Sequence, residues 1–276
     1  MPINRPIAGA KSNHETVPPD HLYKFFGFSG DRREWVRRLL VDSQLYFPRP
    51  QSFNDPFDCQ VPPHLEGTRA EMEQHFNRVS HLMDDPKYRA PGVVASIVER
   101  AMTDQGRARI REAQIESANK HGVLCLAEDA TNMLLWSYYA EGHSGVAIRF
   151  KTTQHALAEL GEMHPQFIPL RVRYQTEFAS ATSYFVDGSV ERVCALFGTK
   201  SSAWKHEQEW RIVLTDRHGY QPIPLSMIDG VIFGLRTGIE AEQVIRGWLS
   251  GRESPVELMR VIHQPYSFEL EVVPVN

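Results

Sequence analysis

The chain has 276 residues, with 30 Lys and Arg against 34 Asp and Glu, a formal net charge of −4 at pH 7. That balance supplies no bulk attraction to polyanions. Hydrophobic residues at 42% and charged residues at 23% sit near the averages of soluble globular chains, which excludes wholesale disorder, collagen-like repeats and a coiled-coil rod.

Residues 1–20 contain Pro2, Pro6, Pro18 and Pro19 among small and polar residues and read as a lead-in rather than core. They lack the charged and apolar pattern of a secretory signal, and no apolar stretch approaches the ~18 uninterrupted residues of a membrane span. The expectation is a cytoplasmic protein with no membrane partner. Cys59, Cys125 and Cys194 are isolated, with no CxxC, no zinc-spaced Cys/His run and no HExxH, so neither a disulfide framework nor a metal site is expected. No GxGxxG or Walker A loop signals a nucleotide fold of the common kinds.

From His21 the aromatic run Leu22 to Phe26 predicts a strand. Asp31 opens a helix to about Asp42, with Trp35, Val36, Leu39 and Leu40 on one face and Arg32, Arg33, Arg37 and Arg38 largely on the other. Those arginines, with Arg49, suit phosphates, although a solvated helix face needs no ligand. A strand over Gln44 to Pro48 runs into the loop Phe53-Asn54-Asp55-Pro56-Phe57-Asp58. Residues 66 to 119 are polar and helix-rich, with breaks at Pro86, Pro91 and Gly106, and read as a helical insertion. Strands are then predicted over 122–126, 145–150, 168–175, 208–215, 228–234, 256–263 and 267–273, with helices from Asn132 and near 153–160, 189–197 and 239–250. The pattern predicts a single α+β domain over 21–276, built on a mixed, mostly antiparallel sheet core with that helical insertion.

Three segments carry candidate chemistry. Residues 132–145 are apolar nearly all round as a helix, and so are expected to be buried or to line a cavity. Trp136 and Tyr139 share a face, and His143 follows one turn later where Gly142 and Gly145 end the helix. The rings offer a stacking wall and the imidazole a switchable proton; a core helix with a capping histidine is the plainer alternative. In a strand over 208–214, Glu209, Arg211 and Val213 share one face. Extended backwards, that strand sets Glu207 beside Glu209 with Cα atoms roughly 7 Å apart. Paired carboxylates in unequal surroundings can divide acid and base roles; a Glu209–Arg211 charge ladder on an exposed face fits the same residues. In the third segment, Asn54 and Asp55 either bond their own backbone in a turn or present polar groups to a ligand.

Taken in order, Leu22-Tyr23-Lys24, Leu45-Tyr46-Phe47 with Asn54-Asp55-Pro56-Phe57, Leu135 to Ala140 with His143 and Gly145, and Trp204 with Glu207, Glu209, Trp210 and Arg211 resemble a bacterial domain family of unknown function over roughly residues 21 to 235. Its motifs here read NDPF, WSYYAxxHxG and ExEWR. The layout of an early tyrosine-bearing strand, a helix, a strand running into a loop and a late strand opening on glutamate also resembles ADP-ribosyltransferases, including those that modify nucleic acid. That resemblance implies an enzyme that takes NAD as substrate, cleaves its nicotinamide–ribose bond and passes ADP-ribose to an acceptor, protein or nucleic acid. It implies that Glu209 contacts the ribose and that Glu207 completes an ExE pair, with Pro224, Ile228 and Ile232 continuing the strand pattern. Glu209, Glu207 and His143 are the catalytic candidates, and Tyr23, Asn54, Asp55, Trp136, Tyr139 and Arg211 the candidate NAD contacts. His21 and Tyr23 stand as candidates for the usual early His or Arg, and no Ser-Thr-Ser signature follows. Two other readings stay open: a non-catalytic nucleotide- or partner-binding module of bacterial defence or stress response, and an NAD or nucleotide hydrolase using His143 and Glu209.

Overall fold

Side chains alternate along β1 (His21–Phe26) so that Leu22 and Phe26 enter one apolar cluster and Phe25 another, and one strand thereby feeds both faces of a sheet. The computed structural model describes residues 17–82, 88, 90, 92–177, 184–185 and 189–275. Most of the lead-in and the expected breaks at Pro86 and Pro91 lie outside the described residues. The end of the lead-in is pinned, because Thr152 bonds the carbonyls of Pro19 and Asp20.

After β1, α1 (Asp31–Asp42) buries Val36, Leu39 and Leu40, and β2 (Gln44–Phe47) follows. The helical stretch comprises α2 (Arg69–Leu82), α3 (Val93–Ala101) and α4 (Asp104–Ala118). Its expected break at Gly106 falls earlier: the Thr103 hydroxyl caps α4 by accepting from the Gly106 N–H at 3.0 Å. Gly106 sits inside the first turn, where a Cβ would lie 1.8 Å from the Arg100 carbonyl oxygen. The close approach of two helices, rather than a break, requires glycine there. Then come β3 (Gly122–Ala127), α5 (Met133–Tyr139), β4 (Val146–Lys151) and α6 (Gln154–Met163). The expected strand over 168–175 divides into β5 (Phe167–Arg171) and β6 (Arg173–Gln175), which join different sheets. The remainder is α7 (Ser189–Phe197), β7 (Thr199–Ser201), β8 (Glu209–Leu214), β9 (Gly219–Pro222), β10 (Ile228–Phe233), α8 (Ile239–Leu249), β11 (Glu257–His263) and β12 (Leu270–Pro274).

The fold is α+β. Eight strands form one sheet in the order β12-β11-β10-β4-β1-β3-β8-β5, antiparallel throughout except for β10 and β11. That parallel pair is joined through α8, as parallel neighbours need a crossover. β2 pairs with β9 and β6 with β7 in two small sheets. On one face of the large sheet, Leu22, Leu126, Ile148, Ile212 and Phe233 pack with residues of α1, α6 and α8. On the other face, Phe25, Ala147 and Ile232 meet Leu135 and Trp136 of α5, while Val123 and Val213 meet Cys59 and Phe197. The sheet nearly parts in its middle. β1 holds six register pairs with β4, and β3 six with β8, but β1 and β3 meet at the single pair Tyr23 and Ala127.

The helices α2 and α3 share a small core of Leu65, Met72, Val98, Ala101 and Phe185. His75 is buried beside it against the rings of Phe76, Tyr184 and Phe185. Burial, then the charges of Arg192 and Arg78, lower its pKa from 6.5 to about 4. The unfolded chain therefore binds more protons between those values, and stability falls as pH drops from 6.5 towards 4. The protection of α2 amides against hydrogen exchange, taken relative to the intrinsic rate at each pH, is expected to fall over that range, and His75→Phe to flatten the dependence; an unchanged profile in the variant would assign it to another group.

Candidate functional site

The parting of β1 from β3 opens a cavity of about 540 Å³. Consecutive residues of both strands line it, Tyr23 to Phe25 from β1 and Cys125 to Ala127 from β3. Leu135, Tyr138 and Tyr139 of α5 form one wall, and Phe53, Asn54 and Asp58 come from the loop after β2. Trp35, 46% exposed, stands at the opening. Lys200, Glu207 and Glu209 make the floor.

The floor is an ion cluster whose members lie far apart in the chain. Lys200 on β7 directs its Nζ to Glu207 Oε2 at 2.5 Å, Glu209 Oε2 at 2.9 Å and Asp58 Oδ2 at 3.5 Å. Arg211, fully buried on β8, donates from Nε to Glu209 Oε1 at 2.7 Å and from Nη2 to Asp58 Oδ2 at 2.7 Å. Its Nη1 donates to the Phe197 carbonyl at 2.9 Å and approaches Cys59 Sγ at 3.2 Å. The three carboxylates Asp58, Glu207 and Glu209 face the two cations Lys200 and Arg211 and leave one formal negative charge in excess.

Desolvation opposes the charges of Glu209, Lys200 and Arg211, and their partners outweigh it. Burial acts to raise the pKa of Glu209, yet Arg211 and then Lys200 hold its carboxyl well below the usual range. Burial likewise acts to lower that of Lys200, and Glu209 and Glu207 hold its ammonium above its ordinary value. Tyr139 donates from its hydroxyl to Glu207 Oε1 at 2.8 Å and accepts from Asn54 Nδ2 at 3.5 Å. Burial and the charge of Glu207 push its phenol up, so it stays protonated. Tyr174 of β6 accepts from the Glu209 N–H at 2.8 Å, which ties the start of β8 to the β6–β7 pair.

Of the sequence candidates, Glu207, Glu209, Tyr23, Asn54 and Tyr139 line this cavity. The route by which the glutamates meet differs from the expected one. The strand does not extend back to Glu207: Ser202–Glu207 is a 3-10 helix, and Gln208 is left-handed at φ 45°. Lys200, rather than strand alternation, brings the two carboxylates together. The alternation of Glu209, Arg211 and Val213 against Trp210, Ile212 and Leu214 does hold, but every β8 residue is buried, so the Glu209–Arg211 pair is no exposed ladder.

The structure corrects the other placements. Arg211 is enclosed by Glu209, Asp58 and the Phe197 carbonyl and has no surface from which to meet a pyrophosphate. Trp136 is fully buried, with its Nε1 donating to the Ala130 carbonyl at 2.7 Å and its ring edge on Phe25; it is core, not cavity wall. His143 stacks behind that indole at 6.2 Å, outside the cavity lining. It closes α5 through its backbone N–H to the Trp136 carbonyl, not through its imidazole. Asp55 is buried and accepts from the Phe57 N–H at 2.9 Å, a turn bond of the Asx kind. His21 pairs with Asp229 at 3.1 Å, away from the cavity. The arginines of α1 are also engaged, Arg37 and Arg38 with Glu34 and Arg32 with Glu141.

Lys200, Asp58, Lys24 and Trp35 also line the cavity, and the sequence offered none of them as a site residue. Nothing local to Thr199-Lys200-Ser201 distinguishes that lysine from a surface one. Among the described residues no group of His, Cys, Asp and Glu is arranged to hold a metal ion; Lys200 takes the position between three carboxylates where a cation would sit. No described helix is long and apolar enough to cross a membrane.

No curated protein and no solved structure matches the chain. Residues 135–212, from α5 to β8 and including Tyr139, Lys200, Glu207, Glu209 and Arg211, match a family described as "Protein of unknown function (DUF2971)", so over that segment the chain is similar to a domain family of unknown function.

Proposed function

We propose that the cavity binds NAD and that the protein cleaves its nicotinamide–ribose bond, transferring ADP-ribose to a protein or nucleic-acid acceptor. The observation that supports this reading is the meeting of Glu207 and Glu209 on one cavity floor, under the rings of Tyr23 and Tyr139. Cleavage sends the bonding electron pair to nicotinamide and leaves positive charge on the ribose. A floor with one formal negative charge in excess, held in place before the substrate arrives, offsets that charge without reorganising. A volume of about 540 Å³ also falls in the range of roughly 300–1,000 Å³ usual for small-molecule sites.

The two glutamates take different parts. Both oxygens of Glu209 are committed to Lys200 and Arg211, so it sets the charge of the floor. Among the described residues Glu207 Oε1 is held only by the Tyr139 hydroxyl, a bond that a ribose hydroxyl can replace, so Glu207 is the carboxylate that faces the sugar. Tyr23 and Tyr139 supply stacking faces. Incubation with NAD, with and without protein and nucleic-acid acceptors, is expected to release nicotinamide above the enzyme-free rate.

The saturation of Glu209 by its two cations favours a second reading, a module that binds a nucleotide without turnover in bacterial defence or stress response. NAD binding by calorimetry without nicotinamide release would select it. Neither binding nor release would remove both.

A further inference from the structure

The cavity holds two lysines with opposite surroundings. Lys200 is closed in by three carboxylates. Lys24 also lines the cavity, half-buried, and its Nζ donates to the Cys125 carbonyl at 3.2 Å, while no carboxylate stands at ion-pair distance from it among the described residues. An ammonium has three donors and no acceptor, and one neutral carbonyl neither satisfies it nor balances its charge. The position follows from the parted sheet. Where β1 and β3 fail to pair beyond Tyr23 and Ala127, the lysine stem crosses the gap and its head takes a carbonyl left without a strand partner. A charge desolvated without a counter-ion is costly. Burial accordingly lowers the pKa of Lys24, with the thiol of Cys125 and the carboxylates of Glu209 and Glu207 acting in the opposite sense.

We infer that Lys24 anchors a phosphate group of the cavity's ligand, so that the site selects nucleotides over nucleosides. The inference rests on the reading of the cavity as a nucleotide site and extends it to the part of the ligand that is held. The charge distribution also orients the ligand. The floor, with its excess negative charge, repels an anion, so the phosphate goes to Lys24 and the electron-poor end goes to Glu207. Trp35, at the opening, offers a ring face to the base beyond the phosphate.

Calorimetric titration with AMP and with adenosine tests this directly. Wild-type protein is expected to bind AMP about tenfold to a hundredfold more tightly, the range for a hydrogen bond between charged groups. Lys24→Met is expected to erase that preference while leaving adenosine binding unchanged, and Lys24→Arg to retain most of it. Equal affinity of wild-type protein for AMP and adenosine, or no binding of AMP, overturns the inference without recourse to a variant; so does a preserved preference in folded Lys24→Met. AMP binding that depends on Lys24 without any NAD cleavage would keep the anchor and remove the transferase reading. NAD cleavage with an unaltered KM in Lys24→Met would do the reverse.

Discussion

Glu207→Gln is expected to lower nicotinamide release by about 10²–10³-fold, the range found when one preorganised electrostatic group is removed from a transition state. The substitution keeps the size of the side chain. Its carbonyl oxygen can still accept from Lys200, and its amide can donate to the Tyr139 oxygen, so the two contacts of Glu207 have substitutes. What disappears is the single excess negative charge of the floor. Single-turnover release followed by chromatography, alongside the thermal midpoint, separates chemistry from folding. A folded variant that releases nicotinamide at the wild-type rate would take Glu207 out of the reaction. Glu209→Gln is the poorer test, because Glu209 holds Lys200 and Arg211 by both oxygens in full burial, and losing it unbalances the fold and the site together.

Arg211→Met is expected to destabilise the protein by about 3–5 kcal/mol, because removing one partner leaves buried charge uncompensated. Glu209 loses the donor to its Oε1, Asp58 its closest cation, and the Phe197 carbonyl its partner. For a chain of this size the loss amounts to a fall on the order of 10 °C in thermal midpoint. Urea unfolding at pH 7 measures it, and a change under 1 kcal/mol would show that the cluster is held without Arg211. The acid limb carries a second signature. The carboxyl of Glu209 lies below its ordinary value of 4.5 in the folded state, so its contribution is present above that pH and is lost as pH falls below it. With Arg211 absent, the carboxyl of Glu209 moves back towards the ordinary range, and the loss of stability below pH 4.5 is expected to be shallower than in wild-type protein.

Much of the scaffold was legible from periodicity and local bonding. α1 follows from the spacing of Val36, Leu39 and Leu40, α5 from the Asn132 cap that accepts from Leu134 and Leu135, and β8 from its period of two. The short strands β7 and β9 were not, since TKS and GYQP carry no apolar run or alternation to mark them and exist by pairing with β6 and β2. Of the site, Glu207, Glu209, Tyr139, Tyr23 and Asn54 could be named because carboxylate pairs and aromatic runs stand out locally. Arg211, Trp136, His143 and Asp55 were named on the same grounds and went elsewhere, into an ion lattice, the core, a helix end and a turn.

The sequence by itself determined the class of fold, the longer elements in their order, and the presence of two glutamates two positions apart next to an arginine. Tertiary structure alone decided that the sheet parts between β1 and β3, that Lys200 gathers Asp58, Glu207 and Glu209, and that Lys24 reaches the cavity with no carboxylate at ion-pair distance among the described residues. The division has a physical cause. Hydrophobic period and capping act within a few residues and leave a mark on the chain, whereas the charge balance of a buried cluster depends on which distant segments are brought within about 4 Å of one another, and no local pattern records that.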